Sequence, residues 1–381
     1  MVWTSTAANA EAIAAYKTRM TQAASISGVC VGNKARISGD PHFTTFDNFK
    51  YDCQGHGEFV IAMSKGNDPL AIHGRFVRVR ESSAKPTITR SVAIKVADEV
   101  PIIQVTAPPQ KINGKCPFTF TMGKEETLIP TEEIVSFFSE NYNGTVTAFS
   151  NGKNIIFTYP ETGTRVQITA GGGGNRCVLN TNLCLTPEAH GGAENIVGLL
   201  GSPDGNKEND WMTRDGSVVP PPEICDIPDP TNSEAKQCKS ARNREGHEWC
   251  MDNWCIGHVD NSLWGEESHA QYNECENRQP DGFFDNIDDV DPAIVEACED
   301  AEDPEGCVMD TLIAVEEGED VTDFVDTVLE EDQDANFVEN LGGDATERME
   351  GWDGPVLSNA SAVEIDLPPT ITGTQLLLSH Y

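Results

Sequence analysis

Four oxygen-bearing side chains crowd one short stretch: Asp204, Asn206, Asn209 and Asp210, with Gly205 free to turn the backbone between them. A hard cation takes roughly six to eight oxygen ligands, which carboxylates and amides at this spacing can supply. The spacing is not that of an EF-hand, because Gly205 follows the first Asp directly and no Glu stands at the twelfth position. The stretch reads either as a cation loop or as a solvated Asp/Asn turn.

A second stretch, Gly39-Asp40-Pro41-His42, offers different chemistry. An Asp-Pro bond is acid-labile, since the Asp carboxyl can attack its own carbonyl and the proline nitrogen leaves readily once protonated. The imidazole of His42 could supply that proton. The other reading is that Pro41 sets a strand entry while His42 packs or hydrogen-bonds. His42 and His56 could in principle share a transition metal, or each could pack or face solvent. The chain has no His-Glu-x-x-His, no Gly-x-Ser-x-Gly and no Walker loop. The glycine run 171–174 lacks a following Gly-Lys-Ser/Thr and reads as a turn between strands.

The elements that must hold these residues are mostly strands. From Cys30 onward, short runs of β-branched and aromatic residues alternate with Gly, Pro and Asn: 58–63, 72–79, 87–96, 102–105, 118–122, 134–138, 145–149, 155–159 and 165–169. Asn151-Gly152 supplies the positive φ of a tight hairpin turn. The fold class expected is mainly β, an antiparallel β-sandwich. Residues 1–27 read as a helical lead-in, with Ile13, Tyr16 and Met20 on one face. Residues 28–217 form the β domain and 218–236 a Pro-rich linker. Residues 237–340 read as an acidic, cysteine-containing helical region, and 341–381 as a linker or tail. In that helical region His247 to Cys255 places two Trp and two Cys where a small disulfide-stapled module could use them for its own core. Pro292–Cys298 and Cys307–Ala314 read as two short amphipathic helices with Pro304 and Gly306 between them.

Charge divides the chain. Up to Cys225 there are 20 Lys and Arg against 22 Asp and Glu; beyond it, 6 against 40. Such a block disfavours nucleic acid and anionic lipid, whose phosphates it would repel, and favours cationic partners or divalent metals. The twelve cysteines lack paired CxxC spacing and imply disulfides in an oxidising compartment. Sequons at Asn143 and Asn359 permit glycosylation there. Residues 1–27 carry Glu11, Lys17 and Arg19 where a signal peptide needs an unbroken apolar run, so either the true start is missing or secretion is wrong. No apolar run is long enough for a membrane span.

The pair formed by Ser38 to Asp47 and Gly198 to Trp211 resembles the opening and closing signatures of the von Willebrand factor type D family. The resemblance covers roughly Cys30 to Trp211. It implies a calcium-stabilised β-sandwich of an extracellular adhesive, matrix or gel-forming protein without turnover of an external substrate. It implies Ca²⁺ ligands at Asp47, Asp204, Asn209 and Asp210, with Asn206 giving its backbone carbonyl; Ser202 stands where the family often has Asn. It also implies self-cleavage between Asp40 and Pro41 in some members, leaving an anhydride, with His42 assisting. Partners implied are extracellular or matrix proteins and disulfide-linked copies, and lipid binding is a further alternative. The family usually has Cys at the positions of Leu200 and Gly57, and an aromatic at Cys53. Because Leu200 replaces the usual partner of Cys30, a Cys30–Cys53 bridge is expected.

Overall fold

In Thr164–Gly171, Val166, Ile168 and Ala170 alternate with Arg165, Gln167 and Thr169, the period-two pattern that sends one set of side chains to each face of a sheet. The computed structural model pairs this segment on both sides. The structure describes residues 30–78 except 31, 87–123 except 99, 125–127, 133–138, 145–150, 152–159, 161–220 except 174, 233–277 except 274, 290–316 except 302 and 303, 320–329 except 323, 363–364 and 377–378. The lead-in helix and both sequons, Asn143 and Asn359, lie outside them.

The strands in chain order are β1 (Asn33–Ser38), β2 (His42–Thr44), β3 (Lys50–Asp52), β4 (Gly55–Ser64), β5 (Ala71–Arg78), β6 (Thr87–Lys95), β7 (Ile103–Thr106), β8 (Thr119–Met122), β9 (Glu125–Thr127), β10 (Glu133–Phe138), β11 (Thr145–Ser150), β12 (Asn154–Tyr159), β13 (Thr164–Gly171), β14 (Val178–Leu185), β15 (Ile196–Val197) and β16 (Glu276–Asn277). One antiparallel sheet runs β10-β11-β12-β13-β14-β1-β2-β3; the other runs β15-β4-β5-β6-β7-β8-β9, with β16 added on β4. The mainly β, antiparallel architecture is the one expected from the pattern. The sheets meet through rings: Phe120 of β8 stacks on Phe157 of β12 at 5.4 Å, and Phe43 of β2 meets Phe76 of β5 edge-on at 5.9 Å. Burying a side chain of this size contributes roughly 1.5–3 kcal/mol.

Helix α1 (Ser233–Trp254) does not form a core of its own. Its Trp249, Cys250 and Trp254 are buried in the core of the sandwich. Trp211 stacks on Trp249 at 5.6 Å, and both rings meet Tyr51 edge-on. A glycine inside a helix costs about 1 kcal/mol relative to Ala, yet Gly246 has a reason to be there: a Cβ would lie 2.9 Å from both Trp211 and Tyr51.

The short helix α2 (Glu266–His269) sits in the loop closed by the Cys255–Cys275 disulfide. That loop is tied to the sheet through Glu58, whose Oε1 accepts from Arg75 Nε at 2.9 Å and Nη2 at 2.7 Å. Its Oε2 takes Ser262 Oγ and His269 Nδ1, and Arg75 lies between the rings of Trp264 and Tyr272. Beyond it, α3 (Pro292–Ala297) and α4 (Pro304–Glu316) pack Ile294, Cys298, Cys307 and Val308 into a small second core, stapled by Cys298–Cys307. Pro304 and Gly306 lie inside the first turn of α4, not between the helices, since proline is preorganised for an N-terminal turn.

The expected Cys30–Cys53 bridge is absent. Cys30 bonds Cys184 and Cys53 bonds Cys250, while Cys116 bonds Cys177. The reason is strand geometry: Asp52 pairs with His42, which pairs with Ser38 at the far end of β1, so Cys53 and Cys30 lie at opposite ends of that strand. Six residues of strand span roughly 20 Å, and a disulfide needs Cα atoms within about 7 Å.

Buried His73 on β5 makes a testable contribution to acid stability. Burial, with Arg214 nearby, pushes it down to about 3. Between pH 6.5 and that value the unfolded chain binds a proton that the native chain does not, so stability falls as pH falls, by about 1.4 kcal/mol per pH unit, and is unaffected above pH 6.5. Denaturation curves from pH 7 to pH 4 should show a shallower pH slope for His73→Gln; an identical slope would refute the assignment.

Candidate functional site

The hairpin between β2 and β3 is a tight turn. Thr45 N donates to Phe49 O at 2.9 Å, Phe49 N donates to Thr45 Oγ1 at 2.9 Å, and Asn48 takes a φ of 61°. Phe46 N donates to Leu200 O at 3.0 Å, which fastens the turn to the segment following β15. Asp47 at its tip therefore faces the loop 204–210, and its Oδ2 accepts from Asn206 N at 2.7 Å. Within that loop, Asp204 accepts from Asn206 N at 2.9 Å and from Asn209 Nδ2 at 2.7 Å. Asn206 Oδ1 accepts from Glu208 N, so its side chain caps the 3-10 turn Lys207–Asn209 and leaves the backbone carbonyl as its ligand group.

Asp210 is fully buried, its Oδ2 accepting from Thr45 Oγ1 at 2.6 Å and its Oδ1 from Ser202 N at 3.3 Å. Gly201, at φ +71°, is required here because a Cβ would lie 2.2 Å from Asp210 Oδ1. Ser202 Oγ donates to Ala193 O at 2.7 Å. The five residues singled out in the sequence are thus brought together. Burial raises Asp47, opposed by the Gly205 and Asn206 amides and reinforced by Asp204. Burial, with Asp47 and Asp204 adding repulsion, pushes Asp210 up to about 7. One further atom bears on a cation: Asn209 Oδ1 is buried without a hydrogen-bond donor. Three carboxylates and an unsatisfied amide oxygen are a donor set that fits a hard cation.

The Asp40-Pro41 bond lies in the turn between β1 and β2 and is surrounded by polar groups. His42 Nδ1 donates to Asp52 Oδ1 at 2.7 Å, and Asn243 Nδ2 of α1 holds Asp52 Oδ2 at 2.7 Å. His42 Nε2 lies 2.8 Å from Asp40 Oδ1. The carbonyl of Asp40 accepts from Gln54 Nε2, and Gln54 Oε1 is fixed by Thr87 N at 2.9 Å. A residue the sequence did not single out completes the cluster: Asp310 of α4, 3.5 Å from His42 Nε2. Burial and the Asp310 carboxylate push Asp40 well above the usual carboxylate range. Burial opposes charge on His42, but Asp52 and Asp310 outweigh it and raise the imidazole well above its ordinary value. His56 does not join this group; it neighbours the ring of Tyr272.

Among the described residues, no helix is long and apolar enough to cross a membrane. Residues 35–217 match the family described as von Willebrand factor type D domain. The IgGFc-binding protein of Homo sapiens is 33% identical over 88 residues, which is 22% of this chain and 2% of that protein. Mucin-4 of Homo sapiens is 24% identical over 190 residues, 49% of this chain and 3% of that protein. The chain therefore aligns with only a few hundredths of the length of these relatives. The antiparallel sandwich, the two signatures meeting through Asp47 and the family match agree, and residues 35–217 of this chain are a von Willebrand factor type D domain.

Proposed function

We propose that this chain is a non-enzymatic structural and adhesive module of an extracellular protein, stabilised by one Ca²⁺. The ion would be held by Asp47, Asp204, Asn209 and Asp210 with the backbone carbonyl of Asn206. The carrying observation is the convergence of Asp47 on the 204–210 loop beside the donor-less Asn209 oxygen. Bound there, Ca²⁺ supplies charge neutralisation and closes the two ends of the β body on each other. Five disulfides among the described residues support an oxidising, extracellular setting. The likeness to a mucin and to a protein named for binding IgG Fc supports binding of other macromolecules rather than turnover. The acidic half suits basic protein partners. Calorimetric titration of the metal-depleted chain should show one Ca²⁺ site that Asp204→Asn abolishes; absence of binding heat would overturn the reading.

The geometry also supports a second reading, one cut at Asp40-Pro41. An Oδ of Asp40 attacks the Asp40 carbonyl carbon, the C–N bond to Pro41 breaks, and the proline nitrogen leaves with the proton held by His42. The resulting cyclic anhydride then takes up water to give two carboxyls. Gln54 Nε2 on the carbonyl and His42 beside the carboxylate favour this path. The Cys30–Cys184 bridge would hold the two fragments together. Reducing gels after mildly acid incubation should show a fragment ending at Asp40 that His42→Ala lacks. An intact band in both proteins would remove this reading.

A further inference from the structure

Asp40 and His42 are both nine-tenths or more buried, yet Asp40 Oδ1, Asp40 Oδ2 and His42 Nε2 have no partner in hydrogen-bonding geometry. They face one another and Asp310, with one ligand atom from each of the three side chains all within 4.8 Å of one another. We propose that Asp40, His42 and Asp310 form a site for a first-row divalent transition metal such as Zn²⁺, distinct from the calcium loop.

The shape of the cluster fits such an ion. Zinc bonds imidazole nitrogen and carboxylate oxygen at about 2.0–2.2 Å, which puts ligand atoms roughly 3–3.5 Å apart in a tetrahedron. His42 Nε2 is 2.8 Å from Asp40 Oδ1 and 3.5 Å from Asp310 Oδ1, so shifts of tenths of an ångström admit the metal. The outer shell is also in place. Asp52 accepts from His42 Nδ1, which leaves Nε2 as the free lone pair, and Asn243 orients Asp52 in turn. Carboxylate on imidazole on metal is the usual arrangement around a histidine ligand. Asp310, with 17% of its side chain exposed, gives the entry path and a side for a fourth, solvent ligand.

Two observations show that the three residues are fitted to each other. A Cβ on Gly39 would lie 2.3 Å from Asp310 Oδ2, so only glycine at φ +59° lets the α4 carboxylate descend onto the turn. The charge also suits a cation. Asp40, Asp52 and Asp310 surround one imidazole, with Arg176 near Asp310. With all three carboxylates ionised, a protonated imidazole leaves two negative charges, whereas a divalent ion beside a neutral imidazole leaves one. An imidazole ligand selects a transition metal over Ca²⁺ or Mg²⁺, which prefer oxygen. Such a metal occupies the carboxylate that self-cleavage needs as its nucleophile, so proton and metal compete for one pocket.

The test is titration of Zn²⁺ into the metal-depleted full chain with Ca²⁺ saturating, and of Co²⁺ with its visible spectrum as a readout of geometry. One equivalent of Zn²⁺ should bind, and Co²⁺ should give a tetrahedral-type spectrum that Zn²⁺ erases. Asp310→Ala, which removes only a part-exposed helix side chain, should weaken binding at least tenfold with the melting temperature retained. Asp52→Asn should weaken it by about 10- to 100-fold. Asp204→Asn should leave it unchanged. No stoichiometric binding, or binding that survives Asp310→Ala at full strength, overturns the proposal.

Discussion

Ca²⁺ added to the metal-depleted chain is expected to raise its melting temperature by roughly 10 °C once free Ca²⁺ exceeds the dissociation constant a thousandfold. Ligand that binds only the native state stabilises it by about 4.1 kcal/mol under that condition, and each kcal/mol moves the midpoint of a domain this size by about 2–4 °C. The whole effect is available because the donors converge only on folding: Asp47 comes from the β2–β3 turn and the rest from a loop at the other end of the β domain. Without the ion, burial together with repulsion from Asp47 and Asp204 pushes Asp210 up to about 7. Scanning calorimetry of wild type, Asp47→Asn and Asp310→Ala separates the possibilities. The shift should vanish in the first variant and persist in the second. A shift of equal size in Asp47→Asn would mean that Ca²⁺ acts through the acidic half of the chain instead.

Glu58→Ala should cost about 3–5 kcal/mol, since breaking a buried ion pair leaves an uncompensated charge. Glu58 is fully buried and each of its oxygens takes two donors: Arg75 on one, Ser262 and His269 on the other. Removing the carboxylate strands the Arg75 guanidinium, whose Cζ lies 4.2 Å from the Trp264 ring centroid and 4.3 Å from that of Tyr272. The damage should be local as well as global, because these donors seat the Cys255–Cys275 loop on β4 and β5. Hydrogen exchange should therefore quicken first in residues 256–273. A denaturation midpoint within 1 kcal/mol of wild type would show that the pair contributes little beyond its own desolvation.

What could be seen in the sequence is what local chemistry dictates. Alternation in β13 marks the two faces of a strand without reference to its neighbours, and Gly152 takes the positive φ, 87°, that its place in a hairpin requires. The oxygen-rich loop and the Asp-Pro-His run are equally local, so their chemistry was legible before their surroundings. Strands β1 and β14 were not legible. Asn33–Ser38 and Val178–Leu185 mix polar and apolar residues, with Arg36 and Asn182 among their paired positions, and pairing with each other and with β2 and β13 makes them strands.

Taken alone, the sequence determined the fold class, the acid-rich second half and the residue types at two chemical stretches, because periodicity, charge and short-range spacing act within a few residues. Only the tertiary structure decided which cysteines meet, that Trp249 and Trp254 complete the core of the sandwich, and that Asp310 descends on His42. Those outcomes depend on where distant elements come to rest. The length of β1 keeps Cys30 from Cys53, and the missing side chain of Gly39 admits a carboxylate from a helix near the other end of the chain.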